Sequence, residues 1–193
     1  MTRRAFLADA GVLACGAAAL AGCGSTAGNA AGSAVADHSR AVTIAMSPTN
    51  EPDAGFDPCV AWGCGEHVHE PLIQSTLLKT TADMGFENDL ATAYECSDDG
   101  LTWTFTIRTD VKFTNGNALT ARDVAYTING VAASEASECD LTMVDKAVAT
   151  DDVTCEVHLS KPFNALLYTL AVIGIVPDGG HGADYGSNPV GSG

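Results

Sequence analysis

Between the turn Ser97-Asp98-Asp99-Gly100 and Asp110, the run Leu101-Thr102-Trp103-Thr104-Phe105-Thr106-Ile107-Arg108 alternates strictly between apolar and polar residues. A period of two puts Leu101, Trp103, Phe105 and Ile107 on one face, so the run predicts a half-buried strand and with it an antiparallel sheet. Val111-Lys112-Phe113 continues the alternation, and Asn115-Gly116 supplies the next turn. Thr120 followed by Asp123 reads as a helix start, with Val124, Ile128 and Val131 at helical spacing behind it. A second hairpin is expected from Val144 to Leu159, turning at Asp151-Asp152. Pro162 suits the first turn of a helix over residues 163–170. Upstream, Val42 to Met46 predicts a strand and residues 47–58 an irregular loop. A short helix from about Gly65 to His69 stops at Pro71. The sum is a mixed α/β chain.

The first forty residues have a different job. Arg3 and Arg4 precede a modest apolar run, Ala5 to Leu20, and then Leu20-Ala21-Gly22-Cys23. A basic start, a short apolar segment and small residues before a cut describe a signal peptide over 1–22. The run holds Asp9 and falls short of the ~20 residues a membrane-spanning helix needs. Thr2-Arg3-Arg4-Ala5-Phe6-Leu7 fits either a twin-arginine export signal or an ordinary basic start. Residues 23–40 are rich in Gly, Ala, Ser and Thr, bury too little to order themselves, and read as a flexible tether. The chain carries a formal charge of −15; residues 1–22 hold two Arg and one Asp, so their removal leaves −16. Such acidity excludes a nucleic-acid footprint and keeps an exported protein soluble.

Several stretches resemble one family, the family 5 extracellular solute-binding proteins of ABC importers, whose members bind oligopeptides, dipeptides or nickel. They are Glu70-Pro71-Leu72, Asp89-Leu90-Ala91, the Ser97–Arg108 block with Val111-Lys112-Phe113, Leu119-Thr120-Ala121-Arg122-Asp123-Val124, and Asn188-Pro189-Val190-Gly191-Ser192-Gly193. The order and spacing match over residues 41–193. The resemblance implies a type II periplasmic-binding-protein-like α/β fold. Of it the chain holds the N-terminal portion, namely the first strand of lobe one and an appended mixed α/β subdomain. Family members are longer, so the second lobe is expected to be missing. Leu20-Ala21-Gly22-Cys23 likewise resembles a lipoprotein lipobox, which makes Cys23 the lipid-bearing residue and the protein an extracytoplasmic, lipid-anchored one. The implied partners are a small solute (a peptide or a metal complex) and a membrane ABC permease. No resident cofactor is implied, and nickel enters only as cargo. A solute site closes between two lobes, so residues 1–193 alone are expected to bind no solute tightly.

Residues with chemistry cluster before Pro71. Cys59, Cys64, His67 and His69 offer thiolate and imidazole ligands of the kind zinc, nickel or copper take, although the spacing matches no closed-site pattern. A Cys59–Cys64 disulfide beside two helical histidines explains the same residues. After Cys15 and Cys23, five cysteines remain, at 59, 64, 96, 139 and 155, and an odd count leaves a thiol over. Trp62 lies where the resemblance places the cleft wall, either to stack on a ligand with His67 and His69 nearby or to pack its own loop. Trp103 is core by its phase. A secreted Cys/His metallohydrolase is the enzymatic alternative. His69-Glu70 is followed by Ile73 where the zinc-protease motif needs its second His, and no Gly-x-Ser-x-Gly elbow occurs. The remaining alternative is a truncated, non-functional fragment of the binding protein.

Overall fold

The computed structural model describes residues 55–60, 71–137 and 139–193. The expected strand at Val42–Met46, the short helix at 65–69 and both N-terminal segments, 1–22 and 23–40, lie outside them. In chain order the elements are β1 (Leu78–Thr80), β2 (Phe86–Asn88), β3 (Ala91–Cys96), β4 (Thr102–Ile107), α1 (Ala121–Ala133), β5 (Val144–Ala149), β6 (Thr154–Leu159) and α2 (Leu166–Leu170). β1 and β2 form a small antiparallel pair, and the other strands form an antiparallel sheet in the order β3-β4-β6-β5.

The turn that launches β4 is fixed by its own side chains. Gly100 takes φ +72°, and its N–H donates to Ser97 O at 2.8 Å. Asp99 Oδ1 accepts from the Ser97 hydroxyl and from Leu101 N–H. β4 then pairs Phe105 with Tyr94 on one side and with Cys155 on the other. Phe105 and Ile107 are fully buried, together with Cys155, Val157 and Leu159 of β6, whereas Thr104, Glu156 and His158 line the opposite face. Alternation therefore delivers one apolar face, as the sequence predicts. Trp103 departs from the expectation: it is only half-buried. α1 packs over β5 and β6, so its cover does not extend to the Trp103 end of β4, where the ring stacks beside Phe105 at 6.4 Å.

α1 begins at the predicted place, and Val124, Ile128 and Val131 are all buried. Asn129 of α1 reaches the outer strand: its amide donates to Ala147 O at 2.9 Å and its carbonyl accepts Ala147 N–H at 2.8 Å. That pair occupies backbone groups an edge strand would otherwise leave open. The second correction is α2, which covers Leu166–Leu170 rather than 163–170. Phe163 sits half-buried against the core and a turn at 164–165 intervenes, so the chain uses those residues to approach the core before coiling.

Burial has a titratable consequence in the sheet. Cys155 is fully inaccessible, and desolvation, aided by the charge of Glu156, pushes its thiol up to about 12. An unfolded thiol ionises near 8.5, so the unfolded chain sheds this proton first. Stability is then expected to fall as pH rises from about 9 towards 12. Cys155→Ala should flatten that alkaline decline relative to the parent, read as urea midpoints across the range. An unchanged slope would show that Cys155 does not contribute to it.

Candidate functional site

The described residues before Pro71 form a short segment, 55–60, pinned to a loop far along the chain. Phe56 N–H donates to Gly186 O at 3.0 Å, and Gln74 Nε2 donates to Phe56 O at 2.8 Å. Gly55 has φ +64°, and a Cβ there would stand 2.2 Å from Gly186 O. Only glycine permits that approach.

Within this segment Asp57 is buried and turns back on itself: its Oδ1 accepts Cys59 N–H at 2.9 Å. Both carboxylate oxygens also lie 2.8 Å from Nε2 of His181, 124 residues later. The other imidazole nitrogen, Nδ1, is 3.3 Å from Tyr126 Oη of α1. Tyr126 meets the ring edge-on and Tyr185 lies against it, with ring centres 6.1 and 5.1 Å away. Tyr185 is buried, and its hydroxyl donates to Val190 O at 2.8 Å. Burial raises both phenol pKa values; at Tyr126 the charges of Cys59, Asp178 and Asp57 add to the effect, whereas at Tyr185 the hydrogen bonds with Gln74 and Val190 work against it.

Cys59 completes the cluster. Asp57, Cys59 and His181 each present one ligand atom, all within 4.8 Å of one another. The Cys59 thiol is free and buried, and desolvation, with Asp57 adding to it, pushes it up to about 12. A thiol held protonated in this way is a poor nucleophile. A groove of about 320 Å³ opens beside the cluster, lined by Asp57, Val60, Asp184, Gly186 and Ser187. A second groove, of about 270 Å³, runs past Pro71, Gln74, Lys79, Asp89 and Gly193. Gln74 Oε1 is buried there with no partner among the described residues.

Across the rest of the chain, the segments singled out in the sequence meet in one place. Gly191 passes so close to Ile73 that a Cβ would stand 2.0 Å from its carbonyl oxygen. Ser192 N–H donates to Ile73 O, and Thr114 N–H to Gly191 O. Leu90 and Ala91 in turn bond back to Thr76 and Leu77. The sequence profile "Bacterial extracellular solute-binding proteins, family 5 Middle" matches residues 85–193, which takes in the Leu90–Ala91 and Gly191–Ser192 side of this junction and the whole four-stranded sheet. The chain belongs to that family.

Known proteins agree with this placement. The probable D,D-dipeptide-binding periplasmic protein DdpA of Escherichia coli K12 is 39% identical over 129 residues, covering 60% of this chain and 24% of its own. The oligopeptide-binding protein AppA of Bacillus subtilis, solved with a nonapeptide, is 28% identical with a TM-score of 0.55, over 63% of this chain and 27% of that one. NikZ of Campylobacter jejuni, solved with Ni(L-His), shares the fold at 22% identity and a TM-score of 0.62, over 76% of this chain and 32% of that one. The chain thus spans about a quarter of the length of the curated relatives it matches. The fold is part of a type II periplasmic-binding-protein-like α/β structure, and family 5 members are extracytoplasmic solute-binding proteins of ABC importers.

Of the candidate residues named from the sequence, Trp62, Cys64, His67, His69 and the lipobox Cys23 lie outside the described residues. Cys59 is described, and its thiol is free. Its neighbours are Asp57 and His181, neither of which sequence spacing singles out. Asp57-Pro58-Cys59 carries one usable signal, since an Asp side chain readily accepts the N–H two residues on. His181 sits in Asp178-Gly179-Gly180-His181-Gly182, which has no periodicity to read.

Proposed function

We propose that this chain is the N-terminal part of a lipid-anchored solute-binding protein that captures a peptide or nickel-type solute and delivers it to an ABC permease. The observation that carries this reading is the family match over 85–193 together with 39% identity to a D,D-dipeptide-binding protein. Peptide-class cargo is favoured over nickel, because the nickel-binding neighbour resembles the chain in fold alone. Trp62, His67 and His69 are offered as the residues of the present chain that face the solute. Binding, not covalent chemistry, is the activity: no bond need break when a ligand shifts the balance between open and closed lobes. The Cys59 thiol, held protonated by its burial, offers no ready nucleophile to the hydrolase alternative.

Uptake in the producing cell tests the proposal. Removal of the gene should abolish import of labelled di- or oligopeptides, or of a nickel complex; undiminished import of all of them overturns it. The anchor has its own readout. Cys23→Ser should release the protein from the membrane fraction or leave the precursor unprocessed, because acyl chains supply the anchoring energy at roughly 0.8 kcal/mol per CH₂. Membrane attachment that survives the substitution would remove Cys23 from the reading.

A further inference from the structure

The Asp57–Cys59–His181 cluster is larger than the contacts of any pair in it require. A histidine–carboxylate hydrogen bond accounts for Asp57 and His181 alone. It does not account for a buried thiol brought to the same point, where the sulfur meets a carboxylate that only disfavours its ionisation. Without a cation, carboxylate and sulfur face each other as two electron-rich groups; with one, both become ligands.

The surroundings suit an ion. Asp57 and Cys59 are held in one tight turn, so two ligands come from a rigid unit. The imidazole is fixed between Tyr126 and Tyr185, and its outer nitrogen has a hydroxyl partner, the outer-shell contact that orients a metal-binding histidine. Tyr126 Oη can accept from Nδ1–H when Nε2 gives its lone pair to a metal. Asp57 also lines the open groove, where Asp184 adds a second carboxylate, so a hydrated cation has an acidic way in and room to keep one water. Metal–ligand bonds of about 2.0–2.3 Å need only a small opening of the His181–Asp57 contact and a small approach of the sulfur.

We propose that Asp57, Cys59 and His181 form a binding site for one zinc-class divalent cation, with a carboxylate oxygen, the Cys59 sulfur and His181 Nε2 as ligands and a water on the groove side. One sulfur, one imidazole and one carboxylate select zinc or cobalt over calcium and magnesium, which take oxygen ligands. The ion would staple segment 55–60 to the loop that carries His181. This proposal does not depend on the solute-binding reading, since every ligand lies within residues 57–181.

The test uses the full chain, reduced with a phosphine, stripped with chelator and titrated with cobalt(II), then with zinc(II). One equivalent of cobalt should bind with a thiolate-to-cobalt absorption band, zinc should displace it, and zinc should raise Tm. Cys59→Ala and His181→Ala should each abolish the band and the Tm shift. Asp57→Asn, which keeps the shape and the Cys59 N–H bond, should weaken cobalt binding at least tenfold. The triple variant Cys64→Ala/His67→Ala/His69→Ala should bind as the parent does. Urea midpoints in chelator show whether each variant still folds, and Asp57→Asn decides the matter if the alanine variants do not. Absence of stoichiometric cobalt, a cobalt spectrum without the thiolate band, binding unaffected by all three single variants, or binding lost only in the triple variant would each overturn the proposal.

Discussion

Phe105→Ala is expected to cost the fold about 3–5 kcal/mol, and Trp103→Ala distinctly less. The two rings lie two residues apart on the same face of β4, so a sequence argument alone treats them as equals. Their surroundings differ. Phe105 is completely inaccessible and is flanked by Tyr94 at 6.1 Å and by Trp103 at 6.4 Å. Its removal leaves a void at the centre of the four-stranded sheet, which neighbours in strands cannot collapse to fill. Trp103 stands nearer the sheet end and keeps part of its surface in water, so truncation there loses contact area without leaving a closed cavity. A domain with stability of about 5–15 kcal/mol would lose much of its margin in the first case. Urea unfolding of both variants gives the comparison directly. Equal losses would mean that the Trp103 end is covered as completely as the centre.

That contrast marks the boundary of what the sequence can say. Alternation identifies a face, because the period of a strand is fixed by backbone geometry. It does not say how far the covering helix reaches, which depends on where α1 crosses the sheet. The same division recurs at the helix itself. Thr120 and Asp123 announce its first turn because capping is local chemistry, readable within four residues. Pro162 announces a helix equally well, yet α2 starts only at Leu166, since Phe163 is held against the core. At the candidate site the limit is more severe. Cys59 is conspicuous as a cysteine near other possible ligands, but the described ligand groups beside it come from Asp57, two residues away, and His181, 122 positions later. Nothing in a glycine-flanked histidine foretells that meeting. It is a product of the chain's return past Gln74 and Gly186, fixed by glycines whose missing side chains let backbones touch.

Asp123→Ala is the second large effect expected, about 3–5 kcal/mol, and it lies where the local signal and the long-range fold share one side chain. As a first-turn acid, Asp123 looks worth only the few tenths to one kcal/mol of a helix-end charge. In the structure it is buried, and its carboxylate accepts from Thr120 N–H at 2.7 Å and the Thr120 hydroxyl at 2.9 Å through Oδ2. Through Oδ1 it accepts Asp178 N–H at 2.8 Å. One turn later the Thr127 hydroxyl, fully buried, accepts Val176 N–H at 3.0 Å and donates to Asp123 O at 2.7 Å, with Val176 O a longer alternative acceptor at 3.2 Å. The start of α1 thus clasps residues 176–178, which lead into the loop bearing His181. Deleting the carboxylate strands these donors, at about 1–3 kcal/mol for each one left buried and unsatisfied. Asp123→Asn should recover little, because the amide oxygen replaces one acceptor while its NH₂ is turned towards another donor. Thr127→Val should cost about 1–3 kcal/mol by leaving the buried Val176 N–H unpaired. The double variant should cost less than the sum, since once one clasp opens the other has less to hold. Amide exchange at Asp178 and Val176 supplies the local readout, faster in either variant. If Asp123→Ala leaves exchange at Asp178 unchanged and costs no more than a surface helix charge, the clasp does not anchor this loop, and the position of His181 must be set by Asp57, Tyr126 and Tyr185.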